Sequence, residues 1–577
     1  MGQRITRVFL ALFFCALARG RAQDTYHRPI SVVEDWSTHQ VIFSENVPEE
    51  LKPTVMADSR FWLQYFRRHA SYRVCAEPEG RQDESLCPRD PLPGSGWQVI
   101  RPAKRDWSVS LGGGSGGPIS EPAIFTYDVS AAPNCTGDYA VTGIDVAGAS
   151  GTQANIIGLN NLYVNGTSSG YCYGSSHLTA PTVLFSYFVG TGNVQSSPVI
   201  SLDGKKVAFV ENSSTSSKLH ILTIGTTGTN GTSATAPVAV GSAGGNNAVD
   251  TQVGFTSTSS TAPFIDYDDD VAYVSTNGTA SIVHKITGVF RGIPTEVTTN
   301  GWPATISGNP SISTPVFDFT SKHVIMLDAA GSLDYVDDSV SPAVTHSAAL
   351  SIASTGINAT PVVIDSSRKL VYAIANNPNG THALVAQANT SLTSASLVTV
   401  NIGTGTGNLI RQVDFNNSYY TGAPYTSCFM YVVGNDSGLF QGPALFDVAF
   451  SNSSFVLNTT TANGPLALTT GLTSGVNTSP LTEFYNSTTS KDYMFVSVTN
   501  ACESTGITGG CIRSLNITNG FPTSGNVNSV VLAASGGTGR ASVDNYANTT
   551  TYPGASSIYY TTLSGNTLVK ATQAGLQ

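Results

Sequence analysis

"STPVFDFTSKHVIMLDAAGSLDYV" occupies Ser313–Val336, and close relatives of it recur along the chain. "SSPVISLDGKKVAFV" begins at Ser196, "TAPFIDYDDDVAYV" at Thr261 and "ATPVVIDSSRKLVYAI" at Ala359. Each has a small residue and a proline, a short apolar run, a polar turn, then a run rich in Val, Tyr or Phe. The step recurs at Pro133, Pro198, Pro263, Pro315, Pro361, Pro424 and Pro480, and without proline near Ser542, at intervals of 46 to 65 residues. Within a unit "SSPVIS", "KVAFVEN", "KLHILTI" and "APVAVG" follow in order, which reads as four short antiparallel strands. Proline suits a strand start, where the missing N–H is harmless. A four-stranded sheet this small cannot bury both faces alone, so such units stack. Closing them into a ring hides faces and edges together. The expectation is an all-β fold, a β-propeller of seven or eight four-stranded blades. A solenoid would need a shorter, stricter period, and sandwich domains about 100 residues each.

The 577 residues divide unevenly. Fifteen of the 28 Lys and Arg lie in the first 107 residues. "MGQRITR" followed by "VFLALFFCALA" has the layout of a secretory signal peptide, with cleavage expected after Ala22 and Ala18 as the alternative. No later apolar run reaches the ~18 residues of a membrane span. The reading is residues 1–22 signal peptide, 23–118 a small partly helical segment and 119–577 propeller, the mature chain being secreted or periplasmic. In the middle segment Phe61, Trp62, Tyr65 and Phe66 fall at helical spacing and predict a helix of about three turns starting near Ala57 or Asp58. This aromatic stripe reads as packing. "LGGGSGG" at Leu111–Gly117 reads as a flexible joint.

Charged residues make up 11% of the chain and the net charge is −10. Nucleic acid is excluded as a partner, because phosphate binding needs clustered Lys and Arg. In an oxidising compartment near neighbours pair, so Cys75–Cys87, Cys135–Cys172 and Cys502–Cys511 are the candidate disulfides, leaving Cys428 odd. The two later bridges would staple blades near the ring closure.

"DWSVSLGGG", "PAIFTYDV", "CTGDYAV" and "VHKITGVFRGIPTEVTTNGWP", together with the repeats, resemble uncharacterised exported proteins of soil bacteria such as acidobacteria, and the blades resemble YVTN and quinoprotein-type propellers. The resemblance implies a secreted propeller and no activity. Trp302 is the only tryptophan after residue 107 and there is no vicinal cysteine pair, so the cofactor motifs of quinoprotein dehydrogenases are missing.

Few residues invite chemistry. Asp266, Asp268 and Asp270 in "DYDDD" could offer oxygen ligands to a structural Ca²⁺. The same place in other units carries "SLDGKK" or "VIDSSRK", an ordinary polar turn, and that is the competing reading. "GGSGG" within Gly113–Gly117 matches G-x-S-x-G only literally, since no strand-to-helix elbow is expected there. His220, His284 and His323 fall in or beside expected strands and read as packing or surface residues. About sixteen N-x-S/T sequons fit a chain rich in Asn, Ser and Thr, and are read as composition. No cofactor and no catalytic residue is assigned. The leading functional reading is a non-enzymatic propeller that binds an extracellular or periplasmic carbohydrate, peptide or protein. An enzyme with its site at the central channel, and a structural or adhesive envelope protein, are the other two.

Overall fold

A computed structural model describes residues 32–34, 40–68 and 104–572, less short stretches at 127–132, 167–168, 174–176, 308–310, 354–359, 377–381, 406–408, 438–441, 472–474, 487–488, 505, 523–529 and 546–552. The fold is an eight-bladed β-propeller of four-stranded antiparallel blades. Blade 2 is representative: Val199–Ile200, Lys206–Asn212, Ser217–Thr223 and Val249–Phe255 pair in order from the axis outward. The first strands of neighbouring blades lie against one another around the axis, and blade 8 returns to blade 1. Blade 8 joins Ser542–Asn545, Ser556–Thr561 and Thr567–Thr572 to Lys104–Ser110, so a strand from before the repeats closes the ring.

Apolar runs become strands buried on both faces because each blade is sandwiched between two others. Val271–Thr276 and Leu370–Ala375 are buried almost throughout, as are Met430–Asn435. The turns between first and second strands demand a left-handed residue, filled by Gly204, Asp270, Lys322, Lys369 and Ser490 in blades 2, 3, 4, 5 and 7. At Gly204 a side chain would also strike the Phe125 ring.

Three details of the repeat differ from expectation. Blade 1 opens at Pro122 with Ala123–Thr126, and Pro133 falls in the following turn. Blade 6 opens with Asp414–Phe415, which has no proline, while Pro424 precedes the short 3-10 helix Tyr425–Ser427. Proline is tolerated at a strand start but not required there, so in blade 1 it is Pro122 and not Pro133 that marks the start, and blade 6 begins without one. Thirdly, "APVAVG" contributes Val238–Ala239 to blade 1, in parallel with Thr182–Phe188. The fourth strand of blade 2 is instead the polar "VDTQVGF", because an outermost strand is half exposed and needs little apolar surface.

The glycine tract is packed rather than loose. A Cβ on Gly114, Gly116 or Gly117 would collide with Val146, Thr561 or the Gln195 carbonyl respectively. Leu111 is fully buried, and Trp107, on the closing strand, donates its Nε1–H to the Leu162 carbonyl at 3.1 Å.

Candidate functional site

The first strands of the blades turn one edge toward the axis, and an open edge offers unpaired N–H and C=O groups. Two of these edges are taken by the chain's own N-terminal segment. Strand β1 (Val32–Glu34) pairs antiparallel with Ala123–Thr126 of blade 1, and β2 (Val41–Ile42) pairs parallel with Val363–Asp365 of blade 5, opposite in the ring. First strands all run toward the face that carries the turns between first and second strands, called here the turn face. So β1 runs away from that face and β2 back toward it. Helices α1 (Lys52–Ala57) and α2 (Ser59–Arg68) follow β2 and lie at the turn face. Helix α2 covers the position expected from the aromatic spacing, and Phe61 packs edge-on to Phe43 at 6.1 Å. Phe43 in turn meets Phe319 of blade 4 at 5.4 Å.

Two arginines anchor this segment on opposite sides. Arg60 is fully buried. Its guanidinium grips Asp58 at 2.6 and 3.0 Å, donates to the Ile265 carbonyl of blade 3 at 3.4 Å and lies 5.0 Å from the Phe264 ring centre. Arg68 reaches blades 6 and 7. One of its terminal nitrogens donates to Glu483 Oε2 at 2.7 Å, and the other to Glu483 Oε1 at 3.1 Å and Asn417 Oδ1 at 2.5 Å. Its guanidinium carbon lies 3.5 Å from the Tyr420 ring centre. Asn417 and Tyr420 belong to the short helix α3 (Asn417–Tyr420), in the first turn of blade 6. Asp492, on the second strand of blade 7, lies against Glu483, and its Oδ2 takes the Asn417 N–H at 2.7 Å. Burial, and then the neighbouring Glu483, push the Asp492 carboxyl well above the usual range. Burial works against charge on Arg68, but Glu483 outweighs it and the guanidinium is held as a firm cation.

A second cation, Arg540, crosses the inner edge of blade 7. It donates to Gln412 Oε1 at 2.8 Å and Thr482 Oγ1 at 3.3 Å, with Asp414 at 3.5 Å and Glu121 at 3.8 Å. Blades 6, 7, 8 and 1 therefore share one buried charge cluster. Tyr420 links it to Arg68 by donating its hydroxyl to Asp414.

The aspartates of "DYDDD" do not converge. Asp266 Oδ1 caps the turn by accepting the Asp268 N–H at 3.1 Å. Asp270 accepts the Phe290 and Arg291 N–H groups at 2.7 and 2.8 Å. Asp268 is pushed up to about 6 by burial and by Asp58 and Asp266. Among the described residues no group of three or more His, Cys, Asp or Glu side chains is arranged to hold a metal ion. His220, His284 and His323 all lie on strands. Cys135–Cys172 and Cys502–Cys511 are formed, in the two blades that flank blade 8, and Cys428 is a buried free thiol raised to about 11 by burial. Cys75, Cys87 and the signal peptide lie outside the described residues.

The axial residues escape sequence reading because they are spread from Arg68 to Arg540. A signal did exist: "QVDF", "LTEFY" and "KDYMF" each place a carboxylate inside an apolar run, in a chain poor in charge.

No protein-family model and no curated protein matches the chain. Solved structures do. Sqt1 of Chaetomium thermophilum is 10% identical with a TM-score of 0.44, over 82% of this chain and 98% of that one. BamB of Moraxella catarrhalis is 13% identical with a TM-score of 0.39, over 82% and 99%. A putative 6-phosphogluconolactonase of Bacteroides uniformis is 13% identical with a TM-score of 0.34, over 69% and 97%.

Proposed function

We propose that this chain is an exported, non-enzymatic propeller that binds a protein partner through the turn face of blades 2 to 4. The observation that carries the reading is where its exposed apolar side chains lie. Among the described residues the large exposed ones are Met56, Val249, Ile293, Val340 and Val344, and Ile293 is 82% exposed. Ile293 and Val340 sit in the turns between third and fourth strands of blades 3 and 4, and Val249 and Val344 open the fourth strands of blades 2 and 4. Strands alternate in direction, so these turns share the face that carries α1 and Met56. Aliphatic side chains exposed on one face suit a protein contact, whereas a sugar site presents exposed rings, and none of these five is aromatic. Beside them Tyr335 lies half-buried between His323 and His346, with ring centres 4.4 and 4.2 Å away. Strands β1 and β2 occupy the inner edges of blades 1 and 5, in the axial region where an enzyme of this architecture would gather its groups. Two disulfides support an oxidising compartment.

The test places a photo-crosslinking residue at position 293 or, on the opposite face, at Thr215, in cells that secrete the chain. A discrete protein adduct is expected from 293 and none from 215. The double variant Ile293→Asp/Val340→Asp should lose the adduct with its melting temperature unchanged. Equal labelling from both positions would sink the proposal.

A further inference from the structure

Lys570, on the third strand of blade 8, is the one buried lysine among the described residues, and no part of it is exposed. Its cross-strand neighbours Tyr559 and Trp107 are both buried. Nζ donates to Asp106 Oδ2 at 2.8 Å and to the Val164 carbonyl of blade 1 at 3.4 Å. Asp106 comes to this place through a bulge in the closing strand. Arg105 pairs with Ala571 and Trp107 with Lys570, which leaves Asp106 as an extra residue between them. An extra residue breaks the strict alternation of faces and re-aims its side chain. Thr572 Oγ1 donates to the same Oδ2. Burial lowers the Lys570 pKa and outweighs Asp106 and then Asp544, which act the other way. Desolvation of this kind turns a lysine from a hydrated cation into a nucleophile. An ion pair so enclosed is a weak source of stability. An amine and a carboxyl group held in contact away from water are, however, the two reactants of an amide, and fixed contact removes the entropy of encounter from the barrier.

We infer that Lys570 and Asp106 join in an isopeptide bond that closes the ring covalently at its last seam. Nζ passes a proton to Oδ2 across their hydrogen bond and, as the free amine, attacks the Asp106 carboxyl carbon. A C–N bond forms, and the bond from that carbon to Oδ2 breaks. Of the three ammonium protons one stays on the amide nitrogen and two leave with Oδ2 as water. The charges of the pair cancel, so no oxidant, activating group or other reactant enters. The enclosure that expels this water also keeps water from reversing the step. The bond links positions 464 residues apart and is independent of the turn-face reading.

The test is mass spectrometry of the exported full-length chain, denatured and with its disulfides reduced. A digest should hold a branched peptide joining Asp106 to Lys570, and trypsin, which cuts after free lysine, should spare the bond after Lys570. Lys570→Arg keeps the cation and cannot form this amide. Corrected for the substitution, the parent should weigh one water less than Lys570→Arg, and the branched peptide should be missing from that variant and from Asp106→Ala. The branched peptide is read from the parent alone, so a variant that does not fold leaves the decision intact. A parent without the branched peptide, cleavage after Lys570 as complete as after other lysines, or a lost water that persists in Lys570→Arg would each overturn the assignment and leave an ordinary buried ion pair.

Discussion

His220 shows how much a single side chain in a blade can depend on its neighbours. Its ring stacks on Phe209 at 4.9 Å, with Nδ1 2.9 Å from Asp250 Oδ2 and Nε2 3.2 Å from Glu211 Oε2. Both nitrogens face acceptors, so the ring is held as imidazolium. Burial opposes that charge, but Asp250 and Glu211 outweigh it and raise the His220 pKa. Glu211 moves the other way: burial is outweighed by His220 and the Gly192 N–H, and its pKa is lowered. The His220 contribution to stability is therefore complete below the ordinary histidine value and is lost as pH rises through the raised one. The Glu211 contribution is present above the ordinary glutamate value and is lost as pH falls. A plot of melting temperature against pH should decline on its alkaline side in the parent. In His220→Gln that decline should be flattened, at a lower melting temperature throughout. Parallel curves for the two proteins would show that the imidazolium contributes nothing. "KLHILTI" is enough to place this histidine on a strand, but not to find its partners, since Asp250 stands 30 residues away on a strand whose polarity hid it.

Blades are joined by a device that recurs at the ends of second strands. Asn212 Oδ1 accepts the Ser259 N–H at 3.0 Å, Asn277 Oδ1 accepts that of Ile312 at 3.1 Å, and Asn376 Oδ1 accepts that of Ile410 at 3.1 Å. In each case the donor lies in the segment leading into the next blade. Asn376 also donates to the Ile410 carbonyl at 2.8 Å, so one amide satisfies both backbone groups of a buried residue. Removing it strands two buried groups, each costing ~1–3 kcal/mol. Asn376→Ala should thus lower stability by about 2–6 kcal/mol in denaturant titrations. Asn389→Ala, whose amide meets Thr393 near the surface, should stay within about 0.5 kcal/mol. Similar losses for the two would mean that the seam does not depend on this bond. The asparagine recurs in the sequence as "ENS", "TNG" and "ANN" after the Val- and Tyr-rich runs of blades 2, 3 and 5, whereas blade 4 carries Asp328 at that place. It is easily dismissed because Asn is abundant here and because Asn212 and Asn277 also read as sequons. Proline betrays a backbone constraint directly, whereas an amide clamp is visible only once its acceptor is in place.

A ring differs from a row of repeats in having no ends, and here the last seam is made by residues that precede the first blade. Lys104–Ser110 pairs with Thr567–Thr572, and Trp107 carries the bond onward into blade 1 through Leu162 while packing 6.0 Å from Tyr559. The period, the polar turns and the buried second strands could all be read from local pattern, because each blade repeats the same burial problem. Closure could not, because it pairs residues more than 400 positions apart and happens once. For the same reason the inner edges were opaque: β1, β2, the two anchoring arginines and the Glu483 that Arg68 meets each occur once. Closure also fixes how the molecule should unfold. An open array of repeats loses its ends first, but opening any seam of a ring exposes two blade faces at once, so the blades should melt together. Trp107→Ala removes a 5%-exposed side chain at the closing seam and should cost about 3–5 kcal/mol. The loss should appear as a single transition shifted to lower temperature, with far-ultraviolet and tryptophan-region signals coincident. A new early transition, with the remaining blades melting where the parent does, would mean that closure guards only its own seam.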